Sequence, residues 1–134
     1  MIDVEVFGAA RWQGTPAGSE VRELCERAAA SRGVNDGHVA LSYVEEAEIA
    51  ALNESHRGRQ GPTDVLSFPV DGAQPAAGPR ELGDIVICPP LTADLREAIV
   101  HGMLHLLGMD HETDSGELLA LQDELLGRGD PARR

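Results

Sequence analysis

The chain has 134 residues, the size of one domain whose core needs no disulfide staples. Its 42% hydrophobic and 25% charged residues are ordinary for a soluble globular protein. The net charge of −12 excludes a surface that grips nucleic acid everywhere, because phosphate contacts need clustered positive charge, but it leaves room for a local basic site.

"IDVEVFG" alternates apolar and acidic residues and reads as a half-buried strand. The start, "MIDVEVFGAARW", has no basic n-region followed by an apolar run, and no stretch approaches the roughly 18 apolar residues of a membrane span. A soluble, cytoplasmic protein is expected. "TPAGSEVRELCERAAASRG" places Val21, Leu24, Cys25, Ala28 and Ala29 three and four apart, an amphipathic helix with Gly33 just past its end. "HVALSYV" is a second strand and "EEAEIAALNESHR" a short helix. "TDVLSFPV" is a strand whose Pro69 puts it at a sheet edge or ends it. "DGAQPAAGPREL" reads as a loop. "GDIVIC" is apolar enough to be a strand covered on both faces.

"LTADLREAIVHGMLHLLG" gives a helix with Thr92 or Asp94 as cap and Gly108 at its C′ position. "DSGELLALQDELLG" gives a last helix, with Asp114 and Glu117 spaced as a capping box and Leu118, Leu121 and Leu125 on one face. The tail "RGDPARR" reads as frayed. Cys25 and Cys88 are far apart and read as buried reduced thiols. The order strand, helix, strand, helix, strand, strand, helix, helix predicts a single α/β (α+β) domain over 1–134, a small mixed sheet packed with helices.

Three of the five histidines fall in "HGMLHLLGMDH". His101 and His105 are four apart, so they share one helix face. Gly108 can take the left-handed conformation and turn the chain, which brings His111 toward the same point. Three imidazoles with an open fourth position are the catalytic type of metal site. The spacing H-x-x-x-H-x-x-G-x-x-H predicts that His101, His105 and His111 hold one divalent metal ion. By ligand type zinc, nickel, copper and iron are all suitable, with zinc the first expectation. Asp110 is a candidate carboxylate to orient an imidazole, with a plain turn residue as the equal alternative. Glu112 and Asp114 read as helix-start charges, and His38 and His56 are not assigned to the metal. A metal protease with this spacing carries its general base, a glutamate, beside the first histidine; here that position is Gly102. Peptide hydrolysis by that route is not expected.

"LNESHRGRQGPTDVLSFPVDG" places Arg57 and Arg59 among glycines in an acidic chain. Their planar forks match a phosphate, although solvated loop arginines are the plainer reading from composition. Three blocks, "LNESHRGRQGPTDVLSFP", "LGDIVIC" and "VHGMLHLLGMDHE", in that order and spanning essentially the chain, resemble the YbeY family of metal-dependent endoribonucleases. The glycine in place of the protease glutamate is the family's own form.

The resemblance implies a zinc-metalloprotease-like α/β fold with His101, His105 and His111 as metal ligands. It implies Arg57, in the N-x-x-x-R-G block, as the functionally important arginine. The substrate would be single-stranded RNA, chiefly precursor rRNA near the small-subunit 3′ end, and the partners the small ribosomal subunit and assembly factors, without a membrane. The chain departs from the family pattern in a shorter segment between Cys88 and His101, which implies a more open approach to the metal, and in Met109 where the family has Tyr. A non-catalytic, metal-containing ribosome-assembly factor is the alternative, motivated by an acidity that suits basic protein partners.

Overall fold

The computed structural model describes residues 1–72, 80–110 and 114–127. Among them are four strands and four helices: β1 (Ile2–Phe7), α1 (Gly18–Ser31), β2 (Gly37–Tyr43), α2 (Glu46–Arg57), β3 (Val65–Pro69), β4 (Glu81–Ile87), α3 (Leu95–Leu106) and α4 (Glu117–Leu125). Short 3₁₀ turns at Ala9–Arg11 and Pro89–Leu91 complete the order. The sequence of strands and helices is the one expected.

The sheet runs β1-β2-β4-β3. β1, β2 and β4 are mutually parallel, and β3 joins β4 antiparallel, with Val65 opposite Ile87 and Pro69 opposite Gly83. Pro69 thus sits on an edge strand, the position its missing N–H permits.

Alternation along the strands gives the sheet two unlike faces. Val39, Leu41, Tyr43, Ile85 and Ile87 point to the face covered by α1 and α3, where the main core forms. The opposite face is covered at one end only. There Ile49 and Leu52 of α2 pack on Leu66, Phe68 and Val86. Asp3, Glu5 and Asp84 stand exposed on the rest of it. "GDIVIC" is therefore covered on both faces only around Val86.

The helix ends follow local chemistry. Asp94 caps α3, its Oδ1 accepting from the Arg96 and Glu97 N–H groups at 3.0 and 3.2 Å. Thr92 instead donates from Oγ1 to the Cys88 carbonyl at 2.7 Å. The end of α3 is a Schellman motif: Gly108 has φ 97°, its N–H bonds the His105 carbonyl, and the Met109 N–H bonds the Leu104 carbonyl, both at 3.0 Å. Gly33 closes α1 the same way with φ 76°.

The start of α4 corrects the expected capping box. Gly116, not Asp114, is the N-cap residue. Asp114 still serves the start of the helix, accepting from Gly116 N–H and Leu118 N–H at 2.8 and 2.9 Å, while Glu117 accepts from Ser115 N–H. Cys25 and Cys88 are free and buried, and burial pushes the Cys25 thiol up to about 12, so both are inert packing groups. No helix among the described residues is long and apolar enough to cross a membrane.

Candidate metal and phosphate site

His101 and His105 stand on the same flank of α3, both half-buried. Their Nε2 atoms face each other at 3.0 Å, with ring centroids 4.6 Å apart. Two nitrogens each bound to one tetrahedral ion about 2.1 Å away lie roughly 3.4 Å apart. The pair therefore needs to open by only a few tenths of an ångström to share an ion. The two described donors fit: their imidazole nitrogens converge, and one ring is anchored from behind. That anchor is Gln122 of α4, whose Oε1 lies 2.8 Å from His101 Nδ1. His111, the third expected ligand, and Glu112 lie outside the described residues, as does the "RGDPARR" tail. The Gly108 turn that would carry the chain toward His111 is present.

Gly102 explains its own identity. It is buried on the flank of α3 that presses on β4. A Cβ built there would lie 2.8 Å from Ile85 Cγ2, closer than real Cβ contacts come. The position next to His101 thus faces the sheet, and a glutamate side chain there would start inside the core. Packing alone keeps the protease's base out of this position. On the other side of the same residue, the Gly102 carbonyl accepts from Ser67 Oγ of β3 at 3.2 Å.

Across from the histidines lies the arginine loop. α2 ends at Arg57 with Gly58 in the left-handed conformation at φ 66°. The Gly58 N–H bonds the Glu54 carbonyl at 3.1 Å. Asn53, only 5% exposed, donates from Nδ2 to the Gly61 carbonyl at 3.0 Å and so ties the loop after Arg57 back to the helix. Arg57 and Arg59 are exposed. A cavity of about 510 Å³ joins the two halves, lined by His101 and His105 on one side and Arg57 and Arg59 on the other. Asp64 and Asp110 add carboxylates to its wall. The structure therefore gathers His101, His105, Asp110, Arg57 and Arg59, five residues singled out in the sequence, around one space. Gln122 is one orienting group on His101, and Asp110 lies on the cavity wall.

Sequence reasoning missed Gln122 and Asn53 as supports. Gln122 follows Leu118 by four residues, so it continues the apolar stripe of α4, and a lone amide in such a stripe is the signal that was available. The histidines left off the metal are engaged elsewhere. His38 lies between Glu81 at 2.7 Å and Glu5 at 2.6 Å, and His56 meets the Phe68 ring edge-on at 5.1 Å.

Comparison with known proteins identifies the family. The family model described as Endoribonuclease YbeY matches residues 13–128. The chain is 40% identical to Endoribonuclease YbeY of Rubrobacter xylanophilus over 91% of its length and 89% of that protein's. It is 37% identical to the Bacillus cytotoxicus protein of the same name, covering 80% of this chain and 83% of that one. The solution structure of TM1509 from Thermotoga maritima superposes with a TM-score of 0.52 at 27% identity, covering both chains in full.

Proposed function

The chain belongs to the YbeY endoribonuclease family, and from that premise we propose that it cuts single-stranded RNA at a metal site of His101, His105 and His111, with Arg57 holding the scissile phosphate. The observation that carries this reading is one cavity with converging imidazoles on one wall and Arg57 on the other.

A divalent ion, zinc first, with nickel or another transition metal as alternatives, supplies positive charge to polarise a phosphate oxygen when bound. The chain's own residues do the rest. The imidazoles are neutral ligands and leave the ion its full charge. Arg57 presents a guanidinium fork to a second phosphate oxygen and offsets the charge that develops as the phosphorus becomes five-coordinate. Its exposure on a tied-down loop suits a polymeric substrate that must enter from solvent. Position 102 contributes no base, which directs the chemistry away from peptides. RNA fits because it brings its own 2′-hydroxyl as nucleophile, or accepts attack by water.

Within the cell the substrate is precursor rRNA, chiefly the small-subunit rRNA near its 3′ end. The partners are then the small ribosomal subunit and its assembly factors, and the location the cytoplasm. The net charge of −12 supports recognition through a local arginine site rather than the whole surface.

The test is cleavage of a single-stranded RNA oligonucleotide by pure protein stripped of metal and then reloaded. Cleavage that is lost on stripping, returns with zinc, and spares a duplex of the same sequence is the expected result. RNA left intact by protein carrying one metal per chain would overturn the nuclease reading.

A further inference from the structure

Two polar side chains are buried among the described residues, Asn53 and Gln122, each 5% exposed. Asn53 supports the arginine loop. Gln122 sits on α4 four residues after the fully buried Leu118, on a face that is otherwise apolar. A leucine there would extend the stripe, so the amide is a cost to the core unless its hydrogen bond offsets it. That bond goes to His101 and to the ring nitrogen facing away from His105.

Resting on the metal reading above, we propose that Gln122 is a positioning residue that sets the tautomer of His101. Its Oε1 accepts a hydrogen bond from His101 Nδ1–H. A neutral imidazole carries one N–H, so His101 Nε2 is left with its lone pair, aimed at the space between the rings. That lone pair lies 3.0 Å from His105 Nε2, the place where a shared ion would enter. His101 is thereby set for an ion before any arrives. α4 thereby becomes part of the metal site although it supplies no ligand.

The opposite amide orientation would put an NH₂ donor against a His101 Nδ1 lone pair. It would leave an N–H on Nε2, pointing at the place where a ligand needs a lone pair. That arrangement opposes metal binding, so it is the form the proposal excludes.

The test uses the full chain with Gln122→Leu and Gln122→Glu. Leucine keeps the apolar packing, and glutamate keeps an acceptor at nearly the same point. Urea unfolding verifies that both variants fold. The first readout needs no metal: imidazole ¹⁵N shifts of the metal-free protein. The expected result is the Nδ1–H form of His101 in wild type and Gln122→Glu, and a mixture or the Nε2–H form in Gln122→Leu. The second is zinc affinity against a chromophoric chelator. Loss of an orienting partner weakens binding about 10- to 100-fold. That loss is expected for Gln122→Leu and absent for Gln122→Glu. His101 found as Nε2–H in wild type, or zinc affinity equal in wild type and Gln122→Leu, overturns the proposal. A wild type that shows the Nδ1–H form yet binds no zinc sinks the metal reading and the proposal's link to metal, while the tautomer assignment stands on the spectrum.

Discussion

The histidine helix and the arginine loop face each other across one cavity, yet they are held by opposite means. α3 is pinned by packing: Gly102 lies against Ile85, Met103 and Leu104 are fully buried, and His101 is anchored by Gln122. The arginine loop is the exposed half. Arg57 and Arg59 are exposed, and a left-handed Gly58 and the Asn53 side chain help to hold the loop. On the proposed reading, the metal ligands sit on a rigid element, which keeps them where they are put. The arginine proposed to hold phosphate sits on a loop fixed at its base, which admits a long substrate from solvent. The division predicts that the two halves fail separately.

The largest effects come from breaking the packed half. Gly102→Glu would recreate the protease motif and start a carboxylate inside the core against Ile85. An unpaired buried charge costs several kcal/mol, so this variant is expected to lose most of its stability in urea and to gain no peptidase activity. Gly102→Ala sharpens the point. Overpacking costs about 1–3 kcal/mol, against a gain of about 1 kcal/mol in helix propensity. Trimming the partner, Ile85→Ala, in the same chain should remove the clash. A double-mutant cycle by urea unfolding should give coupling of opposite sign to the single losses. Additive losses would mean that position 102 does not press on β4.

Breaking the loop half should cost less stability and more activity. Asn53→Ala removes a hydrogen bond from a buried carboxamide and is expected to cost about 1 kcal/mol. The greater consequence is a loop no longer fixed behind Arg57. RNA cleavage should fall while zinc content stays at the wild-type level. Wild-type cleavage in Asn53→Ala would show that the loop needs no such tie.

The smallest effect lies outside both halves, where His38 bridges Glu5 of β1 and Glu81 of β4. Partial burial works to lower the His38 pKa, but hydrogen bonds and charge from Glu81 and Glu5 together outweigh it, and the net direction is upward from 6.5. The group binds its proton more tightly folded than unfolded. Its stabilisation is therefore fully present below about 6.5, the unfolded value, and fades as pH rises through the raised folded one. Urea midpoints of wild type and His38→Gln should differ most on the acidic side and converge in alkali. A difference that grows with pH would contradict the bridge.

Much of this was legible in sequence, for identifiable reasons. Periodicity and caps are local, so all eight elements and the Gly108 and Gly33 turns were readable in order. The histidine spacing and the arginine block were readable because they lie in short contiguous stretches. The start of α4 was read two residues off because Asp114 serves the helix from outside it, while Gly116 takes the left-handed cap. Gln122 was not readable as a support, since its partner lies 21 residues away and only the packing of α4 on α3 joins them. The reason for Gly102 was hidden for the same cause: chemistry showed what the position lacks, and only the sheet showed what excludes it.

The most direct measurement sets RNA cleavage and zinc content side by side for wild type, His105→Ala and Arg57→Ala. Two separately built halves predict that His105→Ala loses both zinc and cleavage. Arg57→Ala should keep its zinc while cleavage drops about 100-fold or more, the usual loss of one transition-state donor. An Arg57→Ala variant that sheds its zinc, or that cleaves like wild type, would contradict the account.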